Sequence, residues 1–408
     1  MVSTSKAKRN MATLFFVLLV IENSGYMLQV SAGKAQLFIQ YSTILLFIIL
    51  AVYHFILKNR LRYSGHNQNI FLIFATITLL STIANGESIN SYLNMIAIIF
   101  IAFFIVETFD LNVIANVFVN TMVVISLISL AFMIWISMFG IPDTPSMIST
   151  TASENQCYNY IVFFYPKLWS LELGRNRGVF WEPGLFASFL IIALMLEAMF
   201  SEHISKFKII ILTVTVFSTL STAGILLLFP TMILYIDRFL DKSNKKVILL
   251  YALWIIFIFL FVFKDQVINN LVAINSDVFG KLLGENNSKV TRLGAPLLNW
   301  KIFISHPFFG AGMNGATSLF QQNKLLFLAD SQTSTSLYMM ASLGFFGVLY
   351  TFWWIRSIVG QKNFGLTKKI AILFIVLIIL NKEPHSAILA TWLLLFLFEK
   401  MRLSLVSL

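Results

Sequence analysis

The stretch Gly174-Arg175-Asn176-Arg177-Gly178-Val179-Phe180-Trp181-Glu182-Pro183-Gly184 gathers residue types that handle a phosphate. A guanidinium fork donates two parallel, charge-assisted hydrogen bonds to phosphate oxygens. Gly178 lets a backbone approach closely, and Pro183 opens a helix whose N-terminus adds partial positive charge at the same place. Glu182 sets a carboxylate beside them, either to accept a proton or to complement the helix dipole. The bland alternative is that Arg175 and Arg177 meet lipid headgroups at a membrane interface.

Three further positions carry reactive or hydrogen-bonding groups. Arg292 stands in Lys289-Val290-Thr291-Arg292-Leu293-Gly294, ahead of a segment ending at His306-Pro307-Phe308-Phe309-Gly310-Ala311-Gly312, where His-Pro and Gly-x-Gly signal a tight turn that ends a helix. A lone arginine of this kind is more often solvated than functional, so its weight comes from partners in the same compartment. The run Asp330-Ser331-Gln332-Thr333-Ser334-Thr335-Ser336 offers hydroxyls and a carboxylate to something hydrophilic such as sugar hydroxyls, or serves as an N-capping run. Asn381-Lys382-Glu383-Pro384-His385 presents Lys382, Glu383 and His385 for acid/base or phosphate work, or closes a helix as a structural cap.

The elements that position these groups are membrane helices. Of 408 residues, 58% are hydrophobic and only 12% charged, against about 25% charged in an average globular chain, and the mean hydropathy is +0.83. No water-soluble core of this length could hide that much apolar surface, so it must face lipid. Runs long enough to cross the hydrocarbon layer give about twelve expected spans. They fall near Met11–Val30, Leu37–Leu57, Ile70–Ala84, Ser91–Ile105, Asn112–Gly140, Gly184–Phe200, Ile209–Leu220, Gly224–Asp237, Val247–Phe263, Thr333–Ile355, Ile370–Asn381 and Ser386–Phe398. The fold class read from this pattern is an all-α polytopic integral membrane protein, a single transmembrane domain over residues 1–408. The run beginning at Met11 lacks a small-residue cleavage site and is read as a retained anchor. Ser218-Thr219-Leu220-Ser221-Thr222-Ala223-Gly224 interrupts an apolar run too long for one span, so a reversal is expected there. Glu22, inside an apolar span, should face the bundle interior.

Of the 29 Lys and Arg residues, 18 fall in the termini and the connections on one face, and 11 in the connections on the other at about one third the density. The positive-inside rule then places both termini in the cytoplasm and two long loops, 141–183 and 264–332, outside. Tyr160–Ser170 and Ala295–Ser305 carry apolar residues on a helical period and are expected to lie along the membrane surface or to cap a cavity. The net charge of +11 reflects basic cytoplasmic loops, and nucleic-acid binding is not expected.

Other chemistries lack support. Cys157 is the single cysteine, which rules out an intrachain disulfide and argues against a Cys-based metal or redox site. No two outer acids form an Asp-x-Asp pair, and no Gly-rich nucleotide loop, Walker motif or His-Glu-x-x-His occurs, so no metal and no cofactor is expected.

The order Arg-x-Arg-Gly-x-Phe-x-Glu-Pro-Gly before a span, Ser-Thr-Ala-Gly at a mid-chain break, Arg then His-Pro-Phe-Phe-Gly-Ala-Gly in an outer loop, and a span containing Leu343-Gly344-Phe345-Phe346-Gly347 resembles the O-antigen ligase and polymerase superfamily over roughly residues 170–350. The resemblance implies a GT-C-like, metal-independent membrane glycosyltransferase taking undecaprenyl-pyrophosphate-linked sugars at the outer side of the bacterial plasma (inner) membrane. It implies that Arg175, Arg177 and Arg292 hold the donor pyrophosphate. One departure separates subfamilies. The ligases carry a His-Asn pair about eleven residues before a Gly-x-x-Gly, and the same spacing here lands on Thr333 and Ser334. The resemblance therefore favours a Wzy-type polymerase of O-antigen or capsule repeats over a ligase passing glycan to lipid A core or protein. Glu182 ranks first as general base, then Asp330 and His385. Expected partners are the lipid-linked oligosaccharide, membrane lipids and a chain-length regulator protein. From another class, a multispan lipid-oligosaccharide flippase has the same composition, although carriers usually place polar groups near mid-membrane.

Overall fold

The fold is taken from a computed structural model, which describes residues 2–30, 34–57, 65–142, 147–149, 156–166, 174–201, 203–239, 286–327, 329, 332–382 and 385–404, with 252, 255 and 266. The chain is mostly helical. Its helices are α1 (Val2–Asn23), α2 (Lys34–Leu57), α3 (Gly65–Ala84), α4 (Ile89–Thr108), α5 (Leu111–Phe139), α6 (Pro183–Phe200), α7 (Lys206–Ser218), α8 (Thr222–Phe239), α9 (Asn286–Ser305), α10 (Met313–Asn323), α11 (Thr335–Leu343), α12 (Val348–Val359), α13 (Leu366–Lys382) and α14 (Leu389–Ser404). Most of each expected span falls on helix except Val247–Phe263, which lies almost wholly outside the described residues, and the first span ends at Asn23, short of the expected Val30. Among the described residues, four stretches are long and apolar enough to cross a membrane: Gly65–Ala84, Leu111–Phe139, Pro183–Phe200 and Thr335–Val359. Shorter apolar helices occupy Leu37–Val52, Tyr92–Thr108 and Thr222–Ile236.

The described residues group into two compact units. The first comprises Met1–Ile39, Leu111–Leu283 and Ile370–Ile375. Its centre is α6, hydrophobic all round and buried from Pro183 to Ala198, as expected of a helix with no wet face. Helices α5, α7 and α8 pack against it. The break after Ser218 occurs as expected, with α7 ending there and α8 starting at Thr222. Glu22 is buried, as its position in an apolar span requires.

The second unit comprises Gln40–Asp110, Gly284–Lys369 and Val376–Leu408. Here α14 packs on α3, α4 and α12, and the ring of Phe74 lies 4.9 Å from that of Trp392, edge to face. Helix α9 ends at Ser305, just before the His-Pro turn, and packs on α11.

One segment departs from expectation. Tyr160–Ser170 is not helical over its described part. Phe164–Pro166 forms β3 of a three-stranded antiparallel sheet with β1 (Met147–Ser149) and β2 (Gln156–Asn159), pairing Tyr158 with Tyr165. The turn before it explains the outcome. Asn159 Oδ1 accepts from Ile161 N at 2.9 Å, and Tyr160 N donates to Phe163 O at 3.0 Å, a side-chain-assisted turn that reverses the chain before a helix can nucleate. Short aromatic runs fit either period, and a local turn decides between them.

Candidate functional site

In the first unit, the loop 174–182 is pinned from four sides. Trp181 N donates to Gly25 O (3.1 Å) and Met27 N to Val179 O (2.9 Å), tying the loop to the connection after α1. Phe164 N donates to Gly178 O (3.0 Å), tying it to β3. Asn176 N donates to Ser218 O (3.0 Å), and its carboxamide nitrogen reaches Ser129 Oγ and Ser218 Oγ, both at 3.0 Å. Its carboxamide oxygen accepts from Gly178 N at 3.0 Å. Gly178 sits at φ +56°, and a Cβ there would meet the Phe186 ring at 3.0 Å, so glycine suits both the turn and the packing against α6.

That frame sets the two arginines differently. Arg175 is half-buried and its Nε donates to Thr219 O at 3.1 Å. Arg177 is 4% exposed, with Nη1 3.2 Å from Trp181 O and 3.4 Å from Cys157 Sγ. It is therefore a buried charge inside the loop rather than a surface partner of lipid headgroups. Glu182 takes the N-cap position of α6 in extended geometry, with Pro183 following as the first helical residue. Its carboxylate makes no cap hydrogen bond, so its half-buried oxygens are not spent on the helix end.

In the second unit, the two glycine-rich motifs meet. Ala311 N donates to Ala341 O (2.8 Å), Gly312 N to Ser342 O (3.1 Å) and Phe345 N to Pro307 O (2.7 Å). Gly310 (φ +68°) and Gly344 (φ +66°) stand so close to the opposing backbone that a Cβ on either would overlap Ser342 or Phe308. Glu87 accepts from Met313 N (3.0 Å) and Gly315 N (2.8 Å), satisfying orphan amides at the start of α10.

Beside this junction lies a cavity of about 140 Å³ lined by Thr317, Gln332, Thr335, Tyr338 and Ser386. All five side chains are uncharged hydrogen-bonding groups. Thr335 Oγ1 accepts from His385 N at 2.7 Å, Thr317 Oγ1 lies 3.1 Å from Tyr338 Oη, and Gln332 Nε2 donates to Asn299 Oδ1 at 3.0 Å. His385 is fully buried, with Nδ1 3.1 Å from Thr391 Oγ1 and no partner for Nε2 among the described residues. Burial, and secondly the charge of Lys382, push its pKa down to about 3. An imidazole so weakly basic is a poor general base, because proton transfer is efficient when the base titrates near the working pH.

The linkage has a testable sign. His385 is neutral when folded but takes a proton near pH 6.5 when unfolded, so its contribution is whole above about 6.5 and declines as pH falls toward 3. Thermal unfolding should show stability dropping by up to about 1.4 kcal/mol per pH unit across that window. His385→Gln should flatten this slope.

Of the residues singled out by sequence, Arg175, Arg177 and Glu182 share one loop of the first unit, His385 adjoins the polar cavity of the second, Lys382 ends α13, and Glu383 lies outside the described residues. Arg292 lies in the backbone of α9 with its side chain outside the described residues, and Asp330 is outside them entirely. Sequence reasoning did not single out Asn176, whose position between two arginines and before a glycine was the available signal. It used Cys157 only to exclude a disulfide and a Cys-based site, and it gave no part to Thr317, Tyr338 and Ser386. In comparisons with known proteins, no family model and no curated protein matches the chain. What fold and composition define is a helical membrane protein.

Proposed function

We propose that this chain is a membrane glycosyltransferase that joins undecaprenyl-pyrophosphate-linked repeat units at the outer face of the plasma membrane, a polysaccharide polymerase of the O-antigen or capsule type. The observation that carries the reading is the cavity of about 140 Å³ in the second unit, lined by four hydroxyls and one carboxamide in a chain that is otherwise strongly apolar. Uncharged donors and acceptors suit a polyhydroxylated, neutral ligand such as a sugar ring, which presents both donors and acceptors.

In this reading the growing glycan sits on its lipid pyrophosphate, and a second lipid-linked repeat presents a hydroxyl. That oxygen bonds to the anomeric carbon of the donor sugar as the bond from that carbon to the pyrophosphate oxygen breaks. Glu182 accepts the hydroxyl proton, and the pyrophosphate leaves against Arg175 and Arg177 of the same loop. The low basicity of His385 supports giving the proton to a carboxylate. Thr333 and Ser334, standing where the ligases carry His-Asn, support polymerase over ligase. A deletion strain tests this choice. Cells lacking the protein should carry single capped repeats and no polymer ladder, whereas loss of all capping would mark a ligase.

A further inference from the structure

A second cavity, of about 400 Å³, is far from the residues above in sequence and takes no part in the proposed reaction. It lies in the first unit between α1 and α5, which pack together. Arg9, Thr13, Asn116, Asn120 and Thr121 give it polar walls, and Val117 an apolar one. Arg9, Thr13, Asn116 and Asn120 are exposed.

Two observations point to a ligand. Asn116 and Asn120 sit one turn apart on the exposed side of Leu111–Phe139, a candidate membrane span, and neither carboxamide has a hydrogen-bond partner among the described residues. At 1.5 Å per residue they stand about 8 and 14 Å from the start of the helix, a depth at which an amide facing hydrocarbon is costly without a partner. Secondly, the exposed guanidinium of Arg9 lies where the apolar part of α1 begins at Met11. Leu14 and Val17 on α1, and Val124 and Leu127 on α5, are exposed further along. The order along the helices is cation, then amides and hydroxyls, then aliphatic surface, which is the order of phosphate, headgroup ester region and acyl chain in a phospholipid. The density of Lys and Arg puts this end of α1 in the cytoplasm.

We propose that the α1/α5 cavity holds the headgroup of an anionic phospholipid of the cytoplasmic leaflet, with Arg9 on the phosphodiester and Asn116 and Asn120 on its ester and glycerol oxygens. The site rests on the membrane reading of the chain and is independent of the glycosyltransferase reading. Full-length protein in detergent, titrated with phosphatidylglycerol and followed by native mass spectrometry, tests it. Arg9→Gln should weaken phosphatidylglycerol retention about tenfold, the scale of one charge-assisted contact. Asn116→Leu/Asn120→Leu should weaken it as well, while Lys8→Gln, outside the cavity, should leave it within about twofold. Phosphatidylcholine should be retained less, and inorganic phosphate should not compete. Equal retention by wild type and Arg9→Gln, equal binding of phosphatidylcholine, or displacement by inorganic phosphate would overturn the assignment. Arg9 is exposed, so its replacement leaves the packed core intact.

Discussion

Arg177→Ala, introduced into a polymerase-null strain, should cut polysaccharide ladders at least tenfold relative to wild type. A group that meets charge mainly in the transition state contributes about 1.4 kcal/mol or more to the barrier, and each such increment is tenfold in rate. Arg177 also has a second role, since its Nη1 holds Trp181 O and touches Cys157, so truncation loosens the loop that carries Glu182. Protein abundance must therefore be measured beside the ladders. Arg175→Ala separates the two roles. Arg175 is half-buried, its Nε on Thr219 O, and more exposed than Arg177, so its loss should reduce ladders with a smaller effect on abundance than Arg177→Ala. Normal ladders at normal abundance in both variants would remove the arginines from the reaction.

Gly310→Val should strongly destabilise the second unit. A β-branched residue at φ +68° is strained by roughly 1–3 kcal/mol. The added Cβ would also overlap the Ser342 backbone, where neither partner can yield as a flexible side chain would. The combined loss should exceed about 3 kcal/mol, a large part of the stability of a typical domain. Thermal unfolding and cellular abundance check it. The contrast is Gly315→Ala, three residues into α10. Its Cβ would meet only Glu87 Oε1 at 3.6 Å and Ala311 at 3.8 Å, so this change should be neutral or stabilising by up to about 1 kcal/mol. If Gly310→Val unfolds like wild type, the two motifs are not held as described.

Why the helices were legible and parts of the site were not follows from the physics of each. A span such as Leu111–Phe139 is written in composition over many residues, so its existence survives any error at its ends. The Pro183 start and the Ser218 break are chemical punctuation and appear where the residues put them. Phe164–Pro166 was misread because a three-residue strand has no period of its own and depends on Asn159 turning the chain. The loop 174–182 was visible as a motif, but not that Arg177 points inward, since burial of a charge depends on partners distant in sequence such as Cys157. Likewise nothing in the sequence says that His306–Gly312 meets Leu343–Gly347, because their register comes from backbone bonds between Ala311 and Ala341 that no spacing encodes. Thr317 and Tyr338 looked like ordinary helix residues. Only the fold brings their hydroxyls to one cavity with Ser386.

The central claim is that this chain forms glycosidic bonds between lipid-linked repeats, and the most direct measurement is product length in a purified system. Full-length protein in liposomes, given undecaprenyl-pyrophosphate-linked repeat units and no ion gradient or nucleotide, should convert them to chains of several repeats with release of undecaprenyl pyrophosphate. Glu182→Gln should stop this conversion. Repeats that cross the bilayer but remain single would contradict the account and identify a carrier instead.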